Sequence, residues 1–156
     1  MKVVSRSVNE TINIGKLVAR HLRAGDIVCL FGHLGSGKTV LTKGIAAGLG
    51  IKKEIVNSPS FVLLRQHSGD SMPLYHFDLY RLNSPKDILG LGYQEYFYDE
   101  GVSVIEWADR LGYLTPEEFL KIELFSNPGP KRLLKFSGVG LRYRQLCAKI
   151  DEDIRH

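Results

Sequence analysis

The segment Gly32-His33-Leu34-Gly35-Ser36-Gly37-Lys38-Thr39 constrains this chain more than any other, because it matches G-x-x-x-x-G-K-[ST] at every fixed position. Its surroundings match as well. Ile27-Val28-Cys29-Leu30-Phe31 is a continuous apolar run, as expected of a strand buried on both faces. Lys38 to about Leu49 has a helical pattern that stops at Gly50. Strand, glycine loop and helix in that order predict a phosphate cradle. Glycines let backbone N–H groups turn onto phosphate oxygens without Cβ clashes, and the helix N-terminus adds its positive dipole end. Lys38 supplies a point charge to the β- and γ-phosphates, and the Thr39 hydroxyl reaches Mg²⁺. Gly35, Ser36, Gly37 and Val40 complete the predicted nucleotide-binding loop.

A phosphate loop of this kind needs an acidic partner for its metal, usually at the end of an apolar strand. Two carboxylates qualify. Glu106 follows Val102-Ser103-Val104-Ile105, and Asp78 follows Tyr75-His76-Phe77. Each also has the look of a surface carboxylate at a strand end, and the pattern alone leaves both readings open. Trp107, beside Glu106, reads as a packing residue rather than a ligand platform.

The rest of the chain reads as mixed α/β. Ser7-Val8-Asn9-Glu10 has capping-box spacing and opens an amphipathic helix from about Asn9 to Arg23, with Ile14, Leu17, Val18 and Leu22 on one face. Ser60 to Gln66 and Pro73 to Leu79 alternate with period two and read as a hairpin across His67-Ser68-Gly69-Asp70. Ser84-Pro85 starts one or two short helices that reach Tyr98, with Ser84 as N-cap and Pro85 as the first helical residue. Val102 to Trp107 is a strand, and Thr115-Pro116-Glu117-Glu118 predicts a short turn of helix. Leu120 to Phe125 and Arg132 to Phe136 flank Asn127-Pro128-Gly129-Pro130 as a second hairpin. Leu141 to Ile154 closes the chain as a helix. At 156 residues, with no repeat, linker or low-complexity stretch, residues 1–156 read as one layered domain.

Composition excludes several classes. A hydrophobic fraction of 44% with a net charge of +4 is ordinary for a globular chain and unlike a disordered one. No stretch approaches the ~18 uninterrupted apolar residues of a membrane span. The N-terminus has no apolar signal core, so the expected compartment is the cytoplasm. Cys29, Cys147 and the five histidines show no metal-ligand spacing. Residues 1–130 balance at 14 basic and 14 acidic side chains, so the whole surplus lies in residues 131–156, with seven basic against three acidic. That basic end suits RNA, an acidic protein surface or a plain solvated helix face. No N/T-K-x-D guanine-reading motif is present, and Pro73 to Glu100 holds a single arginine, Arg81, so no Arg-rich kinase lid is evident.

Further motifs in order resemble one family, the small bacterial P-loop ATPases called TsaE (or YjeE) of tRNA threonylcarbamoyladenosine synthesis. Thr11-Ile12-Asn13-Ile14-Gly15 is similar to the family's early T-x-x-L-G segment, and Phe31 to Thr39 to its G-D-L-G-A-G-K-T loop. Ser58-Pro59-Ser60-Phe61 resembles S-P-T-F, and Tyr75-His76-Phe77-Asp78-Leu79-Tyr80-Arg81-Leu82 matches Y-H-F-D-L-Y-R-L. Leu91-Gly92-Tyr93-Gln94-Glu95-Tyr96 resembles L-G-x-x-E-Y, and Ile105-Glu106-Trp107 with Asp109-Arg110-Leu111 resembles E-W-x-x-R-L. The resemblance spans about residues 7–136. His33 departs from the usual Asp, Ser36 from Ala and Ser60 from Thr, so the loop loses a negative charge at His33 while Ser60 keeps a hydroxyl.

The resemblance implies an α/β fold, a single-domain P-loop NTPase whose mainly parallel sheet is extended by antiparallel strands. The basic helix at about 140–155 lies beyond the family's motifs. It implies that Thr39 and Glu106 hold Mg²⁺, and that Lys38, Asp78 and Glu106 form the catalytic set, with Asp78 near the γ-phosphate. Ser58 to Phe61 would be a switch-like segment, Asn9 and Thr11 would meet the nucleotide, and Arg132 aligns with a C-terminal nucleotide-contacting residue. The implied cofactors are ATP and Mg²⁺. The implied partners are the TsaD and TsaB subunits, with tRNA reached through their complex and no membrane. Slow ATP hydrolysis would act as a switch on TsaB–TsaD. The rival readings are a free small-molecule P-loop kinase, a nucleotide-binding adaptor without hydrolysis and, as a subsidiary idea, direct tRNA binding by the basic end.

Overall fold

In the computed structural model, which describes residues 1–52, 56–57, 63–90 and 92–156, the predicted buried strand lies at the centre of a mixed sheet. Among the described residues the sheet has seven strands: β1 (Lys2–Ser5), β2 (Ile27–Phe31), β3 (Leu64–His67), β4 (Leu74–Asp78), β5 (Val102–Glu106), β6 (Phe119–Ser126) and β7 (Arg132–Val139). Their order is β1-β7-β6-β2-β5-β4-β3. The four central strands, β6, β2, β5 and β4, run parallel. The outer pairings, β1 with β7, β7 with β6 and β3 with β4, are antiparallel. This is the parallel sheet with antiparallel extensions that the resemblance implied.

Alternation along the parallel strands sorts side chains onto two faces. Val28, Leu30, Leu74, Val102 and Val104 join one core cluster, covered by α1 (Val8–Ala19), α2 (Lys38–Gly48) and α5 (Leu141–Arg155). Ile27, Cys29, Tyr75, Phe77 and Ile105 join the other, covered by α3 (Lys86–Leu89), α4 (Gln94–Phe97) and the 3-10 helix Ala108–Leu114. Burial of each large apolar side chain contributes roughly 1.5–3 kcal/mol. Burial also pushes the Cys29 thiol well above its ordinary value, which makes it an inert core residue.

α1 starts as its spacing predicts: Ser7 Oγ accepts the Glu10 N–H at 3.1 Å, and Glu10 reaches back to the Arg6 N–H at 2.7 Å. It ends at Ala19 rather than Arg23. α1 and α2 approach closely at Gly15, where a Cβ would lie 2.6 Å from the Leu41 carbonyl oxygen. α5 is fixed to β2 by the Tyr143 phenol, which accepts the Ile27 N–H at 2.8 Å, and by the Arg142–Asp26 ion pair at 2.6 Å.

Several elements differ from the sequence expectation. β1 was not foreseen. Thr115–Glu118 forms no helix: Thr115 is extended at ψ 127° before Pro116, and β6 begins at Phe119. The helical turn falls earlier, at Ala108–Leu114. Ser84 and Pro85 open α3 as the sequence predicts: Ser84 Oγ accepts the Lys86 N–H at 3.4 Å, and Pro85 already has helical dihedrals at φ −53° and ψ −26°. The Ser58–Phe61 segment and Leu91 lie outside the described residues. Among the described residues, no helix is long and apolar enough to cross a membrane.

Candidate functional site: a phosphate-loop cavity

The site lies at the carboxyl ends of the parallel strands, where open α/β sheets bind ligands. β2 ends at Phe31, and the chain turns through Gly32–Gly37 into α2. Gly37 takes the left-handed conformation (φ 105°) immediately before Lys38, a shape L side chains resist. A Cβ at Gly32 would sit 2.7 Å from the Leu124 carbonyl oxygen. The loop is thus close-packed on β6, and α2 presents its first turn to the cavity.

Lys38 is only 4% exposed. Its ammonium donates to the Gly32 and His33 carbonyls at 2.6 and 2.8 Å and lies 4.0 Å from the Trp107 ring centroid. Burial pulls its pKa down, against the opposing pull of the Glu106, Asp78 and Asp109 carboxylates. Thr39, next along α2, donates its hydroxyl to Glu106 Oε2 at 3.0 Å. Glu106 ends β5 directly beside Asp78 at the end of β4, since the two residues are register partners. Both are buried, at 2% and 3% exposure. Asp78 Oδ1 accepts the Tyr80 N–H at 3.0 Å, an Asx-type turn that fixes the carboxylate at the strand end.

These residues wall a cavity of about 430 Å³, within the usual range for small-molecule sites. Gly35, Gly37, Lys38, Thr39, Val40, Asp78, Glu106, Thr11 and Arg132 all line it. Thr11 is held by Ser5 Oγ at 2.8 Å. Arg132, at the start of β7, donates to the Gly35 carbonyl at 3.4 Å, so the second hairpin carries it to the loop. Two predicted residues stand apart. Ser36 is buried behind the loop with its Oγ 3.4 Å from the Lys38 ammonium. Asn9 is exposed and does not line the cavity, because Val8 and Thr11 share the lining face of α1 and Asn9 lies about 100° around the helix.

The structure adds residues that the sequence reading left without a role. Trp107 lines the cavity instead of only packing; among the described residues it alone has positive φ without being glycine (58°). His76 and Thr42 both reach Glu106 Oε1, at 2.8 and 3.2 Å. The signals were present: His76 is two residues from Asp78 on a strand, and Thr42 one helical turn from Lys38. Tyr80, Arg81, Leu34 and Pro130 complete the rim.

A strand, a glycine loop closing on a buried lysine, and a Thr–Glu pair at a parallel strand end define a P-loop fold. Comparison with known proteins narrows the class. The family model described as "Threonylcarbamoyl adenosine biosynthesis protein TsaE" matches residues 5–133. The tRNA threonylcarbamoyladenosine biosynthesis protein TsaE of Bacillus subtilis is 42% identical over 147 residues, 93% of this chain and 91% of that protein. Its counterpart from Treponema pallidum is 46% identical over 124 residues, covering 80% and 90%. The crystal structure of Bacillus subtilis YdiB superposes with a TM-score of 0.84 at 36% identity, covering 99% of this chain and 95% of that one. The chain belongs to the TsaE family.

Proposed function

We propose that the protein binds ATP with Mg²⁺ in the phosphate-loop cavity and hydrolyses it slowly, as the nucleotide switch of tRNA threonylcarbamoyladenosine (t6A37) synthesis. The observation that carries this reading is the meeting of Lys38, Thr39, Glu106 and Asp78 at one cavity in a TsaE-family chain. The donor set suits the cofactors. Hydroxyl and carboxylate oxygens 3.0 Å apart suit a hard divalent cation. Mg²⁺, when bound, neutralises charge between the β- and γ-phosphates.

The chain's own groups do the remaining work. The Lys38 ammonium donates to two loop carbonyls; phosphate oxygens would offer it a stronger, charge-assisted partner. Amides of Gly35 to Thr39 and the first turn of α2 supply further positive potential. Arg132 and Thr11 close the cavity from the second hairpin and α1. Asp78, held by the Tyr80 N–H, would sense a γ-phosphate or orient its attacking water. Hydrolysis would change the Ser58–Phe61 and Asp78 segments, since loss of γ-phosphate contacts is how such segments switch.

The cytoplasmic TsaB–TsaD complex is the proposed partner, and TsaD the transferase. tRNA would be met through that complex rather than through a basic patch, because four of the seven C-terminal basic residues are already engaged. Arg142 pairs with Asp26, Arg155 with Asp151, Lys135 with Glu123, and Arg132 turns to the loop. Lys38→Ala tests the reading: it should abolish t6A formation in cells that lack the wild-type protein. Normal modification by that variant would refute it, and phosphate transfer to a small acceptor without partners would favour a kinase instead.

A further inference from the structure

The Glu106 carboxylate is held by more groups than a metal partner needs. Oε2 receives the Thr39 hydroxyl, the group proposed to sit on the metal. Oε1 faces the other way, toward His76 Nε2 at 2.8 Å and the Thr42 hydroxyl at 3.2 Å. His76 is fully buried, in the middle of β4. Its other ring nitrogen, Nδ1, has no hydrogen-bond partner among the described residues. That asymmetry fixes the proton. With hydrogen on Nε2, His76 donates to the carboxylate and leaves only a lone pair unmet. With hydrogen on Nδ1, a buried N–H would be orphaned and two acceptors would face each other at 2.8 Å, which is the costlier arrangement. Thr42 is a weaker contributor, since its single proton is shared with the Lys38 carbonyl at 2.9 Å.

We propose that His76 is a positioning residue for Glu106: its Nε2–H commits Oε1 to the protein and leaves Oε2 as the oxygen that faces the metal. This rests on the reading that Thr39 and Glu106 hold Mg²⁺. A carboxylate on a glutamate side chain has three rotatable bonds. Locking one oxygen on a rigid central strand removes that freedom before the metal arrives, as outer partners of metal ligands commonly do. The parallel pairing of β4 and β5 sets the geometry, with His76 opposite Val104 and one strand period from the Asp78–Glu106 pair.

The test is a Mg²⁺ titration of the full chain loaded with a non-hydrolysable ATP analogue, with analogue affinity also measured in EDTA. His76→Leu should weaken Mg²⁺ binding about tenfold, in line with the loss of outer partners elsewhere, while analogue affinity in EDTA stays at the wild-type value. His76→Gln, whose amide nitrogen reaches the Nε2 position, should recover most of the loss. His76→Asn, one methylene shorter, should not. Thr42→Val should weaken Mg²⁺ binding less than His76→Leu. If His76→Leu fails to fold, the Gln–Asn pair decides by the same difference. Wild-type Mg²⁺ affinity in the Leu variant, or equal affinities for Gln and Asn, would overturn the proposal. Glu106→Gln separates this outcome from failure of the underlying reading. If that variant binds Mg²⁺ normally, Glu106 is no metal partner and both fall. If it loses Mg²⁺ while His76→Leu does not, only the positioning role falls.

Discussion

The two faces of the sheet share the same central strands and differ in almost everything else. Beneath α1 and α2, the strands carry His76 and, at their ends, Asp78 and Glu106, polar groups buried at a cost and held by hydrogen bonds. On the opposite face, residues one step along the same strands are apolar or aromatic. Phe77 meets Phe97 at 5.4 Å between ring centroids and Tyr96 at 6.1 Å, and Tyr75 meets Tyr96 at 5.1 Å, all edge-on. Period two thus separates chemistry from cohesion within single strands. One face carries the site beside its own apolar core, and the other is given over to apolar and aromatic packing.

That division can be broken from either side. Phe97→Ala, on the aromatic face, should lower unfolding free energy by about 3–5 kcal/mol in urea titrations, while the folded fraction keeps its nucleotide affinity. Coupled loss of both would show that the faces are not independent. Lys38→Ala should do the opposite: nucleotide affinity falls about 100-fold, the scale of a lost contact to a charged group. Its thermal midpoint should fall less than that of Phe97→Ala, because the burial cost of the ammonium offsets its attraction to the Glu106 and Asp78 carboxylates. Gly15→Ala should cost about 1–3 kcal/mol by forcing α1 off α2. It should also weaken nucleotide binding modestly by displacing Thr11, which calorimetric titration would detect.

The smallest effect concerns α5. Burial pushes the Tyr143 phenol up to about 12, against about 10 in an unfolded chain. An unfolded chain therefore releases this proton first. The stability that the phenol contributes is complete below pH 10 and is lost as pH rises toward 12. Tyr143→Phe should cost about 1 kcal/mol at neutral pH, because the Ile27 N–H loses its acceptor. Its stability should then fall less steeply than wild type between pH 10 and 11, as urea midpoints at each pH would show.

Much of this was legible in the sequence because its signals are local. The glycine loop, the capping box at Ser7 and the hairpin turn at Asn127–Pro130 each carry their conformation in a few adjacent residues. What was missed depends on distant partners. β1 is four residues long, half exposed, and becomes a strand only because β7 offers it a free edge. The helix expected at Thr115 gave way because β6 begins too soon after Pro116. In the site, Lys38, Thr39, Asp78 and Glu106 could be named from motif and strand-end logic. His76 had a signal in its place two residues before Asp78, on the same face of the strand, but its partner lies 30 positions away. Trp107 was read as packing because nothing in its neighbours shows the left-handed backbone that turns it toward Lys38.

The proposed nucleotide turnover serves a partner complex. The most direct measurement is phosphate release from Mg-ATP by the purified chain, alone and then with TsaB, TsaD and substrate tRNA. The account predicts slow release alone and a changed rate when the partners are present. Rapid release, or phosphate transfer, that is indifferent to the partners would contradict it and mark an independent enzyme.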